Sequence, residues 1–376
     1  MALTKYKLGE LIQLCENKNS ELKYGIDDVR GISIKKIFIE TKADMQGVSL
    51  KPYYLVKPDD FVYVTVTSRN GEKITLAHNI TEMTYIVSSS YVVFKVCRTD
   101  LLLSDYLFMY FNRPEFDRYS RFNSWGSARE TFAWEDMCDI DIELPPIDIQ
   151  QKFVDIYNGM VANQQAYKTG LEDLKFVCDA YIEDLKRDIS SEPIGPYIER
   201  HDVRNGKNRI KNVKGVSISK EFREPTSKVN KKNLANYKVV KPRQISFVQT
   251  THNEKVYAYA FNNTNEDIVV TSVNEVFSVN EEKLLPEYLA MFFNRTEFDR
   301  YARFHSWGSA RETFTWNDLV EVKVPIPNIE TQKFIVDIFN VYKQRKQINK
   351  KLKAQIKEIC PILIKGSLEE TQKGEQ

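Results

Sequence analysis

The chain has 376 residues, 42% of them hydrophobic and 28% charged, with a formal net charge of +2 at pH 7. This is the balance of a soluble globular protein long enough for two domains; it excludes extended disorder outside a polar end at residues 371–376, and no run approaches the roughly 20 apolar residues of a bilayer span. With so little net charge, a polyanion-binding surface has to arise from local clustering of cations. Residues 1–7 lack the apolar core of a signal sequence, which predicts a cytoplasmic protein with no membrane contact. The five cysteines (Cys15, Cys97, Cys138, Cys178, Cys360) are scattered without a CxxC pair, against both a zinc site and a disulfide framework.

Residues 50–97 alternate in short apolar runs, such as Phe61-Val62-Tyr63-Val64 and Tyr91-Val92-Val93-Phe94, and predict strands. A helix is expected over 104–116, followed by a Ser-Trp-Gly-Ser-Ala-Arg-Glu-Thr-Phe loop and a short closing strand. Past Pro145-Pro146 the period becomes helical. Phe153, Tyr157, Met160, Gln164, Tyr167, Leu171, Leu174, Cys178, Tyr181 and Leu185 alternate spacings of four and three, a heptad seam roughly 60 Å long. Strand patterns return at 245–248, 256–260 and 268–270, and a helix at 286–298 begins with Pro286, suited to a first turn. After Pro327 a second seam runs through Ile338, Val341, Arg345, Ile348 and Leu352, then shifts to Ile356, Ile359 and Leu363. Pro361 is expected to kink or end that helix.

The chain is written twice. Residues 106–136 (YLFMYFNRPEFDRYSRFNSWGSARETFAWED) and 288–318 (YLAMFFNRTEFDRYARFHSWGSARETFTWND) align without a gap; 7 of 31 positions differ, so 24 are identical. The same offset carries on to Cys178 and Cys360. Upstream, Arg30-Gly31 matches Lys214-Gly215 and Val56-Lys57-Pro58 matches Val240-Lys241-Pro242, with the residues between almost fully diverged. A shared and a free segment in each half suggest common scaffolding under different reading surfaces, or else drift after duplication.

The two helical segments differ in charge. Residues 146–188 hold eight acids and five bases, residues 328–365 nine bases and three acids. Apolar seams with complementary flanks favour mutual pairing; each helix lying on its own head, or the basic helix contacting DNA phosphates, are the alternatives. The fold class expected is α+β: two similar mixed α/β domains (1–145 and 191–327), two long helices (146–190 and 328–365) in an antiparallel coiled coil, a pseudo-two-fold internal repeat, and a tail at 366–376.

This order resembles the specificity subunit of type I restriction–modification systems over nearly the whole chain. The matching parts are Lys7-Leu8-Gly9-Glu10-Leu11 at the start, the Gly-Ser-x-Arg element closing each head, and a proline exit into a helix opening with glutamine (Pro145 to Gln150-Gln151; Pro325 and Pro327 to Gln332). Ile194-Gly195-Pro196-Tyr197-Ile198 departs from the opening signature. The resemblance implies two target-recognition domains reading a bipartite site in double-stranded DNA, with the helices fixing their separation. It implies a non-catalytic subunit with no cofactor of its own. Two methyltransferase (modification) subunits would bring S-adenosylmethionine, and two restriction/translocase subunits would bring ATP and Mg.

The residues themselves offer no catalytic constellation. There is no GxGxxG or GxxxxGK[ST] loop, and Leu144-Pro145-Pro146-Ile147 lacks the polar residue that an adenine-methylating signature places before Pro-Pro. Asp28 with Glu40-Thr41-Lys42 imitates a nuclease motif, but its counterpart, Glu224-Pro225-Thr226, breaks it. His78, His201, His252 and His305 share no metal-ligand spacing and read as surface or DNA-contacting residues.

DNA contact needs cations for phosphates and planar donors for base edges. The repeated loop supplies Ser124, Trp125, Ser127 and Arg129, then Ser306, Trp307, Ser309 and Arg311, and being alike in both heads it suits positioning the duplex over reading it. The competing view is a structural turn with Trp packed inside and Arg paired to Glu130 or Glu312. Base readout is expected at the divergent tips: Thr67, Ser68, Arg69, Asn70 and Lys73 in one head, Thr250, Thr251, His252, Asn253 and Lys255 in the other. A basic stretch, Arg204, Lys207, Arg209 and Lys211, is expected to track the backbone. The rival function is a duplicated protein–protein scaffold that does not bind DNA.

Overall fold

Alternating apolar residues with large aromatic side chains set up the same sheet in each half. The computed structural model describes residues 3–41, 43–68, 73–230, 232–250, 256–308 and 311–374. It divides into two units, Met1–Ala166 with Asn349–Gln376, and Tyr167–Ile348. In the first, an antiparallel sheet has the order Ile12–Leu14, Tyr91–Val96, Phe61–Val64, Leu76–His78. Phe61 faces Phe94 across the strands, and their rings stack 5.1 Å apart in the core. The second repeats it as Ile198–His201, Asn274–Val279, Ile245–Val248, Tyr259–Phe261, with Phe247 and Phe277 buried.

Helices α1 (Ser104–Phe111), α2 (Pro114–Phe122) and α3 (Trp134–Cys138) complete the first head, and strand Asp141–Leu144 pairs with Thr4–Lys7 before the long α4 (Ile147–Asp188). The second head closes with α5 (Pro286–Phe293), α6 (Thr296–Phe304) and α7 (Trp316–Val320), then strand Lys323–Pro325 against Ser191–Pro193, then α8 (Ile329–Lys373). The single helix expected over 104–116 is two, because Pro114 forces the preceding Arg113 out of helical backbone (φ −78°, ψ 141°). Thr296 replaces that proline in the second copy, yet Arg295 keeps the same extended conformation (φ −72°, ψ 147°).

The duplication reaches the backbone where the sequence had lost it. Among the described residues six other than glycine have positive φ, and they form three matched pairs: Leu22 with Asn208, Lys36 with Lys220, Asp59 with Arg243. Lys36 and Lys220 each end a tight turn, bury their ammonium, and pair with Asp117 and Asp299 at 2.8 Å while donating to the Phe111 and Phe293 carbonyls at the ends of α1 and α5. Burial pushes both ammonium groups below the usual lysine range, and the facing carboxylates oppose that shift. A spaced repeat runs through these turns, Gly31-x-Ser33-Ile34-x-Lys36-x-Phe38-x-Glu40 against Gly215-x-Ser217-Ile218-x-Lys220-x-Phe222-x-Glu224, so the residues between the two matched anchors are not fully diverged.

Within each unit the long helices run antiparallel. In the first, Lys152 pairs with Glu370 (2.7 Å) and Gln164 donates to the side-chain oxygen of Asn349 (2.7 Å). In the second, the Tyr181 and Phe334 rings lie 6.0 Å apart and the Arg345 guanidinium sits over Tyr167 at 5.9 Å. Phe153, Val154 and Tyr157 join Cys360, Leu363 and Ile364 in the first core; Cys178, Ile182 and Leu185 join Ile335, Val336 and Phe339 in the second. The seam expected on the second helix is out of register, since Val341 and Ile348 are exposed. Nor do the opposite helix charges serve pairing. Lys152–Glu370 has its base on the acidic helix, and the acids Asp179 and Glu183 of α4 bind Arg295 of the second head.

Pro361 does not end α8. The helix continues to Lys373, so the expected tail at 366–376 is helical through that residue. What holds it is burial: Leu363, Ile364, Ser367 and Thr371 pack into the first unit, and the Ser367 and Tyr106 hydroxyls are 2.7 Å apart. Gly366 lets the Phe153 ring come so close that an added Cβ would stand 3.1 Å from it.

The glutamine that opens each long helix is fully buried. Gln150 accepts from Leu103 N–H (3.0 Å) and donates to the carbonyls of Leu101 and Pro145 (both 2.8 Å). Gln332 repeats this with Leu285 N–H, Lys283 O and Pro327 O, all at 2.8 Å. Gln150→Ala or Gln332→Ala strands one amide and two carbonyls in the interior, and each is expected to cost about 2–4 kcal/mol. Urea unfolding followed by circular dichroism checks this; a loss below about 0.5 kcal/mol would contradict the clamp.

Candidate nucleic-acid interface

The repeated loop is built by its own backbone. Trp125 and Thr131 exchange N–H···O bonds across a one-residue bridge, 3.1 and 2.9 Å long, and Trp307 and Thr313 do the same at 3.2 and 3.0 Å. Gly126 and Gly308 turn the chain at φ +140°, where a Cβ would lie 2.3 Å from the carbonyl of Arg129 or Arg311. Only glycine fits there.

This closure points the aromatic residues outward. Trp125 is 66% and Trp307 70% exposed, beside Phe122 at 78% and Phe304 at 76% at the ends of α2 and α6. The competing view, a packed indole with Arg129 paired to Glu130 or Arg311 to Glu312, is therefore overturned. Glu130 takes Arg121 of α2 and Glu312 takes Arg303 of α6, leaving Arg129 and Arg311 exposed with no ion pair among the described residues. Ser127 is exposed as well, and Ser309 lies outside the described residues. Ser124 and Ser306 do not face outward; each is buried and donates its hydroxyl to a helix carbonyl, Ser120 O or Ala302 O, at 2.6 Å.

The loop meets the foot of the divergent tip in each head. Thr131 bridges to Val66, Thr67 N–H donates to Glu130 O (2.9 Å) and Phe132 N–H to Thr65 O (2.8 Å). Thr313 bridges to Thr250, and Phe314 N–H donates to Gln249 O (2.7 Å). The return strand of the loop thus forms the shoulder from which the tip leaves the sheet. Thr67 belongs to that shoulder, 2% exposed, and is no base reader. Ser68 is exposed, Lys73 and Thr250 half-buried. Arg69, Asn70, Thr251, His252, Asn253 and Lys255 lie outside the described residues.

Arg204, Lys207, Arg209 and Lys211 lie exposed on a separate turn of the second head. Arg204 is tied to Asp202 (2.7 Å) and to Asn236 O. Asn205 closes the turn by bonding both N–H and C=O of Ile210, as Asn19 does with Tyr24 in the first head. The first-head turn carries Glu21 and Lys23 in place of the basic run, a correspondence invisible in the sequence because the turn has only its asparagine in common. His78 corrects another expectation: it is buried between Asp59 (3.2 Å) and Asp105 (3.5 Å), stacked on Phe61, where the second head has Arg243 bridging Glu281 and Glu287. Among the described residues no group of three or more metal-binding side chains occurs, and no helix is long and apolar enough to cross a membrane.

Residues 185–358 match the family model described as the type I restriction modification DNA specificity domain. That match spans the second head and most of α8. The first half repeats the order of elements of the matched region, head for head and helix for helix. Among solved structures, the type I restriction–modification S subunit from M. genitalium aligns over 98% of this chain and 96% of its own, at 11% identity and a TM-score of 0.60. That likeness shows the fold, two mixed α/β domains with two long helices. The HsdS subunit from Thermoanaerobacter tengcongensis aligns over 99% and 96%, at 14% identity and a TM-score of 0.38. A comparison with curated proteins finds no match.

Gly126→Ala and Gly308→Ala are expected to destabilise their heads by about 2–3 kcal/mol, because a side chain there strains the backbone as well as meeting a carbonyl. Trp125→Ala and Trp307→Ala, on exposed rings, should stay within about 0.5 kcal/mol of the parent chain. Thermal and urea unfolding of the four variants separates these cases, and equal losses would mean the indoles are packed.

Proposed function

We propose that this chain is the DNA-reading specificity subunit of a type I restriction–modification complex, each head taking one half of a bipartite site in double-stranded DNA. The observation that carries the reading is the meeting, in both heads, of a shared loop, bearing an exposed indole and an arginine with no ion pair among the described residues, with the foot of a tip whose sequence differs between heads. The shared loop grips sugar and phosphate and sets the register. The tips read base edges, Arg69 suited to guanine and Asn70 or Asn253 to adenine. The chain is non-catalytic and holds no cofactor. S-adenosylmethionine, ATP and Mg belong to two methyltransferase and two restriction/translocase subunits that dock at the paired helices.

Replacing Arg129 or Arg311 by Ala should weaken binding to all sequences alike and flatten the dependence of log K on log salt by about one unit per lost phosphate contact. Fluorescence anisotropy over a salt series measures this. A change in which base is preferred would refute the division between gripping loop and reading tips.

The paired helices fix the gap between half-sites. Residues 161–167 of α4 and 346–352 of α8 are centred on the Gln164–Asn349 contact, so deleting both removes one matched heptad. At 1.5 Å per residue this shortens the pair by about 10 Å, so the gap should shrink by up to about three base pairs of 3.4 Å rise while the half-sites stay the same. Mapping methylated sites genome-wide in cells carrying the shortened chain and its methyltransferase decides it; an unchanged gap with full activity rules out the helices as the spacer.

A further inference from the structure

A cleft of about 750 Å³ lies between the first head and the C-terminal half of α8. Cations reach it from four separate stretches of chain. The turn ending at Lys36 brings Lys35, the foot of the tip brings Lys73, and α2 brings Arg118 and Arg121. Lys353 and Lys357 project from α8 across from them. The one acid in the lining, Asp117, is already paired with Lys36, and Arg118 and Arg121 are tied to Glu115 and Glu130 outside it. Lys35, Lys353 and Lys357 are exposed, and with Lys73 they have no ion pair among the described residues. So many like charges facing one cavity destabilise the fold slightly unless an anion answers them.

The second head has a cleft of its own with Lys214, Lys220, Lys343 and Lys346, but two acids, Glu221 and Glu266, line it as well, and the first-head cations are not kept. At the 184-residue offset Ser219 stands for Lys35, and at the 182-residue offset Leu171 stands for Lys353. Ile74 N–H and Tyr257 N–H both donate to the matching aspartate (Asp117, Asp299), so Val256 stands for Lys73. Three cations are thus peculiar to the first head. The cleft also runs on to Phe122, the exposed ring at the end of α2, three residues before Trp125 in the chain.

We infer that this cleft is an additional site for a DNA phosphate strand, which gives the first head a stronger electrostatic hold on DNA than the second. The inference rests on the DNA-binding reading above. A row of ammonium groups over a partly apolar floor (Ile34, Ile356, Phe122) suits a phosphodiester chain with its sugars, and it places lysines of α8 against DNA.

The test exchanges first-head residues for their second-head counterparts in the full-length chain. Lys35→Ser, Lys73→Val and Lys353→Leu together should flatten the salt dependence of binding to a labelled random-sequence duplex by about two to three units. The reverse pair, Ser219→Lys with Leu171→Lys, should steepen it by about one to two units, and keeps the idea testable should the triple variant fold poorly. An unchanged slope in both, while Arg129→Ala still flattens it, would overturn the cleft and leave the DNA-reading function standing. No binding to any duplex by the parent chain would overturn both. Binding of inorganic tripolyphosphate that depends on the three lysines, with the duplex slope unmoved, would assign the cleft to a small polyphosphate and overturn the inference. So would lysine-dependent capture of the methyltransferase subunit with that slope unmoved.

Discussion

A single buried primary amide ties each head to its long helix. Gln150 and Gln332 each join three backbone groups that have no other partner nearby: the amide that begins α1 or α5, the carbonyl two residues before it, and the proline carbonyl at the exit from the closing strand. With those groups satisfied, the strand can end and the helix begin beneath the head without leaving polar atoms stranded. The direction in which α4 and α8 leave their heads follows from that tie. So does the depth at which Phe153 and Ile335 enter their cores. The proline exit followed by glutamine, a family motif in the sequence, is in the structure a joint rather than a binding feature.

The helices illustrate how a polar layer and a proline coexist with a packed seam. Gln164 and Asn349 hydrogen-bond across the pair where apolar side chains would pack more tightly, and a buried polar pair of this kind fixes register at some cost in stability. Farther along, Pro361 removes one helix donor, but Cys360, Leu363 and Ile364 are already committed to the first core. The packing of those side chains outweighs the missing hydrogen bond, so a helix breaker sits inside a 45-residue helix.

Much of this was legible in the sequence. The duplication, the two heads, the antiparallel helices and the closing motif follow from the 31-residue repeat and the change of period after Pro145. The errors share a physical origin. Second-helix side chains were assigned to a seam by spacing alone, but α8 buries Val336, Phe339 and Cys360 against the heads as well as against α4, so no single period describes it. Helix charge suggested pairing, yet the acids of α4 serve Arg295 and lysines of α8 face clefts. Within the candidate interface, exposure separated residues that composition had grouped: Ser124, Ser306 and Thr67 satisfy the loop from inside, while Trp125, Arg129 and their counterparts face out. The Lys36 and Lys220 turns have a spaced repeat in the sequence, but a left-handed lysine carries no composition signal, so their conformation shows only in the backbone.

Where the tip leaves the sheet, the hairpin is shut by Val64 N–H on Thr75 O in one head and by Val248 N–H on Ala258 O in the other, both 2.9 Å. Ten residues lie between the closing pair in the first case, 65–74, and nine in the second, 249–257. The frame around them, a bridge to the loop on one side and an aspartate accepting from Ile74 or Tyr257 on the other, is the same. Closing a loop one residue longer differs in chain entropy by about 0.1 kcal/mol. Insertions and deletions at this point are therefore nearly invisible to folding. Selection can lengthen, shorten or rewrite the segment while the head around it stays stable, and the two copies have already diverged there by a residue.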